Sequence, residues 1–209
     1  MEIVCKQWAE SFEVRGYCIE DILTLIQEAY KERAKEGISF ATLSYTIDDF
    51  LAERTNSDYW FLAFDENNRL CGTARLTLLA GKVGEVCNFA VLPSAQGKHV
   101  GTQLLEELVR FGEKMQLDYI RSYTAIHAKS SVKCHCRCGF RIVGINVGLQ
   151  QSYSSYIFRN HLSPSPFWRR MILTRFNYLL TFLKYKLAKR PDGKNTIIGD
   201  FYLRHKNQN

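Results

Sequence analysis

Hydrophobic positions near the start of the chain follow a helical spacing. Apolar side chains recur three and four residues apart, among Glu, Gln and Lys, at Ile19, Ile22, Leu23, Ile26 and Tyr30. This spacing predicts an amphipathic helix, and Gly37 is expected to end it. A second helix is expected after Thr46, because a hydroxyl cap followed by two acidic residues suits a helix N-terminus. We therefore expect the first fifty residues to be helical.

From residue 59 onward, short apolar runs separated by turn residues predict strands. The predicted strands are 59–64, 70–79, 85–92, 117–123, 140–147 and 153–159. Helical spacing returns over 99–115 and 128–138. An antiparallel meander followed by alternating strands and helices predicts a mixed α/β (α+β) domain.

The charge of the chain is concentrated in its last fifty residues. The 209 residues carry a net charge of +7, but 160–209 hold ten Lys/Arg and two acids, while 1–159 hold 18 basic and 19 acidic residues. Ser163-Pro164-Ser165-Pro166 punctuates this change. We predict a domain at 1–159 and a basic helical C-terminal extension at 160–209.

The extension has an apolar stripe flanked by Lys and Arg over 166–190. The stripe consists of Trp168, Ile172, Phe176, Leu179, Leu183 and Leu187. Two interpretations stay open: peripheral contact with an anionic membrane surface, or packing on the domain or on a second subunit as a homodimer. Nucleic acid is not an expected partner, because no base-reading module is visible.

Other global features favour a cytoplasmic protein. If the extension contacts a membrane, we expect that contact to be peripheral and at the inner membrane surface. The N-terminus lacks the unbroken apolar segment of a secretory signal. No stretch approaches the ~20 apolar residues that span a bilayer. Seven cysteines, an odd number, are expected to be reduced thiols.

The segment 85–105 carries the most informative motif. A strand ends at Pro93, the loop Gln96-Gly97-Lys98-His99-Val100-Gly101 follows, and an amphipathic helix begins at once. Such an arrangement places backbone N–H groups and the positive end of a helix dipole around an anion. Neither the P-loop pattern nor the Gly-x-Gly-x-x-Gly pattern of dinucleotide-binding folds is present.

This loop resembles the acetyl-CoA site of the GNAT superfamily of N-acetyltransferases, whose signature is Gln/Arg-x-x-Gly-x-Gly/Ala after a strand ending in Val-x-Pro. Here 96–101 follow Ala90-Val91-Leu92-Pro93, and the family's helix ending in Gly-Phe is similar to 131–140. Two positions depart from the pattern. His99 stands where the family usually has glycine, and His135 stands where it often has tyrosine.

The resemblance covers 1–159 and implies a GNAT-like acyl-CoA N-acyltransferase fold, with a central, mostly antiparallel mixed sheet flanked by helices. It implies acetyl-CoA as co-substrate and no metal. The residues it implies for binding acetyl-CoA are Phe89, Ala90, Val91, Gln96, Gly97, Lys98, His99, Val100, Gly101, Thr102 and Ser131. For His99, a helical backbone conformation would keep the side chain away from the pyrophosphate.

Amide formation from a thioester needs a base for the ammonium proton and a proton for the departing sulfur. The resemblance assigns the base to Glu85 and a hydrogen bond to the thioester carbonyl to the Phe89 N–H. Because side chains alternate between the two faces of a strand, Glu85 and Phe89, four residues apart, are expected on the same face of the sheet. His135 is the candidate acid, because imidazole titrates near neutral pH.

The cysteines invite two further interpretations. Cys134 and Cys138 share one helical face without a second pair nearby, so small core residues are favoured over a zinc site or a disulfide. Cys87 lies on the predicted strand as a potential nucleophile, which direct attack by a bound amine makes unnecessary.

The expected function is transfer of an acetyl group from acetyl-CoA to a primary amine of a small-molecule acceptor. An amino sugar, a polyamine, an amino acid and a protein amine are all candidates. The alternative is a non-catalytic acyl-CoA-binding module that docks on a membrane or a protein partner through its basic tail.

Overall fold

A seven-stranded sheet forms the centre of the computed structural model, which describes residues 1–9, 12–34, 40–146 and 154–163 together with Phe176 and Leu179. The strands are β1 Glu2–Gln7, β2 Glu13–Val14, β3 Tyr17–Cys18, β4 Asp58–Phe64, β5 Leu70–Leu79, β6 Val83–Val91, β7 Tyr119–Ala125, β8 Arg141–Asn146 and β9 Ser155–His161. The α-helices are α1 Ile19–Ala34, α2 Ile47–Ala52, α3 Val100–Lys114 and α4 Lys129–Arg137.

The order of strands in the sheet is β1-β4-β5-β6-β7-β9-β8, and β2 and β3 form a separate small hairpin. Neighbouring strands of the large sheet run antiparallel, apart from the parallel pair β6 and β7. That parallel pairing covers only Val83–Val86 against Tyr119–Ser122. Beyond Val86 the two strands are no longer paired, which opens the centre of the sheet between them.

Helices cover both faces of the sheet. On one face, Leu104, Leu105 and Leu108 of α3 pack with Phe61 and Ile120 in one core cluster. On the other face, α1 and α2 bury a second cluster, which includes Ile22, Ile26, Phe50, Trp60 and Leu62. The predicted mixed α+β class and the helical spacings of α1 and α3 are confirmed.

The N-terminal region differs from the prediction. Residues 2–7 form an edge strand whose register pairs Glu2 with Phe64 and Gln7 with Tyr59, so the expectation of fifty helical residues is wrong there and in the small hairpin. The predicted cap at Thr46 is confirmed. Its hydroxyl accepts a hydrogen bond from the Asp49 N–H at 3.2 Å, and the Asp49 carboxylate accepts from the Thr46 N–H at 2.9 Å.

The last strand of the sheet begins and ends two residues later than the predicted strand 153–159. Strand β9 continues to His161, and the Ser163 N–H donates to the Asp118 carbonyl at 3.2 Å. Gly37 and most of the extension, including four of the six stripe residues, lie outside the described residues. In the part of the chain that the structure describes, none of the helices has the length and apolar character to cross a membrane.

Candidate functional site

A cavity of about 260 Å³ lies where the end of β6, the loop after it, the first turn of α3 and one face of α4 meet. Most of the binding residues predicted from sequence line it: Phe89, Ala90, Val91, Gln96, Gly97, His99, Val100, Gly101, Thr102 and Ser131. Lys98 belongs to the same loop but does not line the cavity. The fold therefore brings most of the residues named from the motif and from the family resemblance together around one cavity.

The loop enters α3 through two residues with positive φ. Gly97 has φ +80° and His99 has φ +63°, with Val100 as the first helical residue. The helical conformation expected for His99 is therefore wrong. Its backbone is left-handed, a conformation that glycine adopts freely and an L side chain adopts at a cost of ~1 kcal/mol.

The start of α3 provides backbone donors to the cavity. The Gln103 N–H makes the first helical bond, to the His99 carbonyl at 3.0 Å. The N–H groups of Val100, Gly101 and Thr102 precede it and have no carbonyl one turn earlier within the helix. Together with the helix dipole they form a site suited to a phosphate group.

Close packing at Gly101 brings this helix start against β6. A Cβ atom at Gly101 would lie 3.1 Å from Phe89 Cζ and 3.5 Å from Cys134 Sγ. A side chain would therefore require the Phe89 ring to move. The glycine sets the distance between the donors of α3 and the end of β6.

Strand β6 contains a bulge that changes which face its side chains reach. Cys87 is opposite Arg75 and Ala90 is opposite Thr73, so two residues, Asn88 and Phe89, stand against one on β5. Asn88 has φ +47°, in keeping with the twist and bending that a bulge introduces. The expectation that Glu85 and Phe89 share a face is therefore wrong, because the extra residue inverts the alternation.

The two residues separated by the bulge have different surroundings. The Phe89 side chain packs into the core cluster of α3 and α4. Glu85 is opposite Thr77, whose hydroxyl donates to Asp58 at 2.6 Å on the face covered by α1 and α2. The Glu85 carboxylate is partly buried and pairs with the Arg121 guanidinium. Between the two halves of β6, the backbone of the bulge lies at the opening of the sheet.

His135 is buried, with 1% of its surface exposed, and both ring nitrogens are engaged. Nδ1 lies 2.8 Å from the Ser131 carbonyl and Nε2 lies 2.9 Å from Ser122 Oγ. Because a carbonyl can only accept, Nδ1 carries the hydrogen and Nε2 accepts from the Ser122 hydroxyl. Burial lowers the pKa of His135 to about 4, which the bond to Ser131 partly opposes.

This environment does not fit the proton donor expected at His135. The imidazole is neutral at pH 7, and it is not among the residues that line the cavity. Its ring instead contacts those of Phe89, Phe140 and Phe158, with centroids 5.0 to 5.5 Å apart. His135 joins α4 to β7 and supports the Phe89 ring.

Several cavity residues were missed from the sequence. Tyr30 of α1 lines the cavity, and its hydroxyl donates to the Phe89 carbonyl at 3.4 Å. Lys133, Cys134 and Arg137 of α4 line it as well. Together with Ser130 they recur at three- and four-residue spacing, which marks one helix face. That periodicity was the available signal for α4, whereas Tyr30 approaches only through tertiary packing.

The site lies within the region matched by a known protein family. A family model described as the acetyltransferase (GNAT) family matches residues 19–140. The chain belongs to this family. A search of curated proteins found no match.

Solved structures of GNAT proteins share the fold. An acetyltransferase from Bacillus subtilis in complex with CoA aligns with TM-score 0.56 and 18% identity, over 78% of this chain and 100% of that one. The PaiA N-acetyltransferase from Thermoplasma acidophilum, in complex with coenzyme A, aligns with TM-score 0.58 and 19% identity, over 77% and 99%. The ribosomal-protein-S18-alanine N-acetyltransferase from Escherichia coli aligns with TM-score 0.58 and 14% identity, over 79% and 97%.

Proposed function

We propose that this GNAT protein transfers the acetyl group of acetyl-CoA to a primary amine of a small-molecule acceptor. The observation that carries the proposal is that the cavity receives residues from both sides of the sheet. Tyr30 comes from α1 on one side, and Thr102 and Ser131 come from α3 and α4 on the other. A thioester and an amine can therefore meet where β6 and β7 part.

The cavity residues suit a CoA derivative. The backbone donors at the start of α3 would hold the pyrophosphate, and the nearby cations Lys133 and Arg137 would attract phosphate charge. The bulge at Asn88 and Phe89 interrupts the pairing of β6 with β5. The cavity walls at Phe89 and Val91 are apolar and suit the arm that carries the thioester.

Acetyl-CoA supplies an activated acyl group, so the residues here need only orient it and handle protons. The Phe89 N–H is the proposed donor to the thioester carbonyl. Glu85 is the proposed base, accepting the ammonium proton directly or through water. The Arg121 guanidinium pairs with the Glu85 carboxylate and would orient it. Bringing the two substrates together supplies much of the rate enhancement without a covalent intermediate.

Calorimetric titration with acetyl-CoA, and separately with CoA, tests the cavity. We expect saturable binding that weakens at least tenfold in Gly101→Glu, which adds bulk and negative charge at the phosphate donors. Gln103→Glu is the matched control, because Gln103 is exposed in the same first turn and does not line the cavity. A wild-type protein that binds neither ligand would contradict the proposal.

A turnover assay separates the enzyme from the alternative, a non-catalytic acyl-CoA-binding module. Release of free CoA thiol would be followed with amino sugars, polyamines, amino acids and short peptides as acceptors. Amine-dependent release supports the transferase. Tight acetyl-CoA binding without release for any acceptor class would favour the module.

A further inference from the structure

Cys134 is positioned differently from the other cysteines of the described residues. Its half-buried side chain lines the cavity, and its sulfur lies 3.6 Å from Thr102 Oγ1 in the first turn of α3. One helical turn further along α4, the Cys138 sulfur lies 3.6 Å from the Thr102 carbonyl. The two thiols and the Thr102 hydroxyl form a small polar cluster, of which Thr102 and Cys134 line the cavity.

This cluster favours the thiolate of Cys134. Hydrogen bonds from the Cys138 thiol and the Thr102 hydroxyl, together with the charge of Arg137, outweigh burial and lower the pKa of Cys134 to about 7. The nearby positive end of α3 acts in the same direction. By contrast, burial raises the pKa of Cys71 and Cys87.

We propose that Cys134 is a covalent modification site that captures small-molecule disulfides and thereby closes the cavity to CoA. The Cys134 thiolate attacks one sulfur of the incoming disulfide. The existing S–S bond breaks, and the displaced half leaves as a thiolate that takes a proton from water. The disulfide is itself the oxidant, so the step balances without another reactant. A reducing thiol reverses it.

The expected product is a mixed disulfide rather than an internal Cys134–Cys138 bond. Residues four apart on a helix have Cβ atoms ~5–6 Å apart, whereas a disulfide requires ~3.5–4.5 Å. Internal closure would distort the last turn of α4. Cys138 therefore acts by stabilising the Cys134 thiolate, and the entering group lies in the cavity.

To test the proposal, the 209-residue protein is exposed to oxidised glutathione. After timed exposure at pH 7, peptide mass spectrometry locates the first adduct. We expect it on Cys134, about threefold faster than on an ordinary exposed thiol, since the larger thiolate fraction is partly offset by lower nucleophilicity. Excess desulfo-CoA, which has no thiol, should slow the reaction at least tenfold.

Three single variants complete the test, with circular dichroism verifying that each is folded. Cys134→Ser should lose the first adduct, and Cys138→Ala should slow it about threefold at pH 7 by removing a donor to the thiolate. Cys136→Ser, at an exposed cysteine of the same helix, should leave the rate unchanged. First modification at Cys136, or a rate that does not change in Cys138→Ala, overturns the proposal.

Calorimetry of the purified adduct tests whether the cavity is closed. Acetyl-CoA binding should be lost in the adduct and restored by dithiothreitol. If protein modified on Cys134 binds acetyl-CoA as tightly as the unmodified protein, the proposal that modification closes the cavity is overturned. If the unmodified protein binds no acetyl-CoA, the transferase proposal fails instead, while the site of the first adduct still decides the reactivity of Cys134.

Discussion

Glu85 and Arg121 stand opposite each other near the end of the short parallel pairing between β6 and β7, and their side chains form an ion pair there. One rung later the pairing ends and the strands part. The ion pair therefore links the strands at the edge of the opening where transfer is proposed to occur.

Glu85→Gln should reduce the transfer rate while preserving acetyl-CoA affinity. We expect a loss of about 10²- to 10⁴-fold near neutral pH, and a smaller loss at high pH, where more of the amine is already neutral. Steady-state kinetics across pH, with calorimetry in parallel, measure both quantities. Glu107→Gln, which breaks the surface ion pair with Arg110, is the control. Equal rates for wild type and Glu85→Gln at every pH would exclude Glu85 as the base.

His135 should make the fold sensitive to acid. Its pKa of about 4 in the folded protein lies below the unfolded value near 6.5, so the unfolded chain binds the proton more readily. The free energy of unfolding should fall as the pH drops from 6.5 towards 4, by up to about 3 kcal/mol from this group. Urea unfolding of wild type and His135→Phe at several pH values isolates the effect. If the difference in unfolding free energy between wild type and His135→Phe does not change with pH, the predicted acid sensitivity of His135 is contradicted.

Substitutions at His99 should follow its left-handed backbone. His99→Gly relieves strain but gains freedom in the unfolded chain, so the free energy of unfolding should change by less than about 1 kcal/mol. His99→Val should destabilise by about 1–2 kcal/mol, because a β-branched residue fits this conformation poorly. Thermal or urea unfolding measures both. Lys98→Val, at the neighbouring residue without positive φ, serves as control. Equal effects at both positions would mean that strain is not the cause.

Asp58 should be among the most sensitive positions of the α2 side. It is fully buried and accepts hydrogen bonds from the Thr55 N–H, the Arg75 guanidinium and the Thr77 hydroxyl. Asp58→Asn leaves the buried Arg75 without its counter-charge and should cost about 3–5 kcal/mol of unfolding free energy. The exposed Asp48→Asn should change it by about 1 kcal/mol or less. A loss at Asp58 no larger than at Asp48 would show that Arg75 finds other compensation.

Features encoded by neighbouring residues were predictable from the sequence. The Thr46 cap, the apolar stripes of α1 and α3 and the loop ahead of α3 each depend on residues within a turn or two of one another. Strand β1 depends instead on pairing with β4, more than fifty residues away, and its alternation over six residues gave a weak local signal. Local pattern therefore predicted the loop ahead of α3 but not the edge of the sheet.

The failures at the site have two physical causes. The alternation rule that linked Glu85 to Phe89 assumes an unbroken strand, and nothing in the local sequence announces the bulge at Asn88. The role expected of His135 assumed an imidazole that titrates near neutral pH, but the fold buries its ring among Phe89, Phe140 and Phe158 and lowers its pKa to about 4. Both depend on how distant segments pack.

The bulge in β6 reverses the alternation of side chains between the two faces of the sheet part-way along the strand. Up to Cys87 the odd-numbered side chains belong to the face with Glu85, whereas beyond the bulge the odd-numbered Phe89 belongs to the opposite face. Deleting one residue of the bulge would restore the regular alternation of side chains along β6. Every side chain on one half of the strand would then point to the opposite face of the sheet. The bulge therefore sets the face reached by Phe89 and Val91, two residues of the cavity wall, independently of the face reached by Glu85.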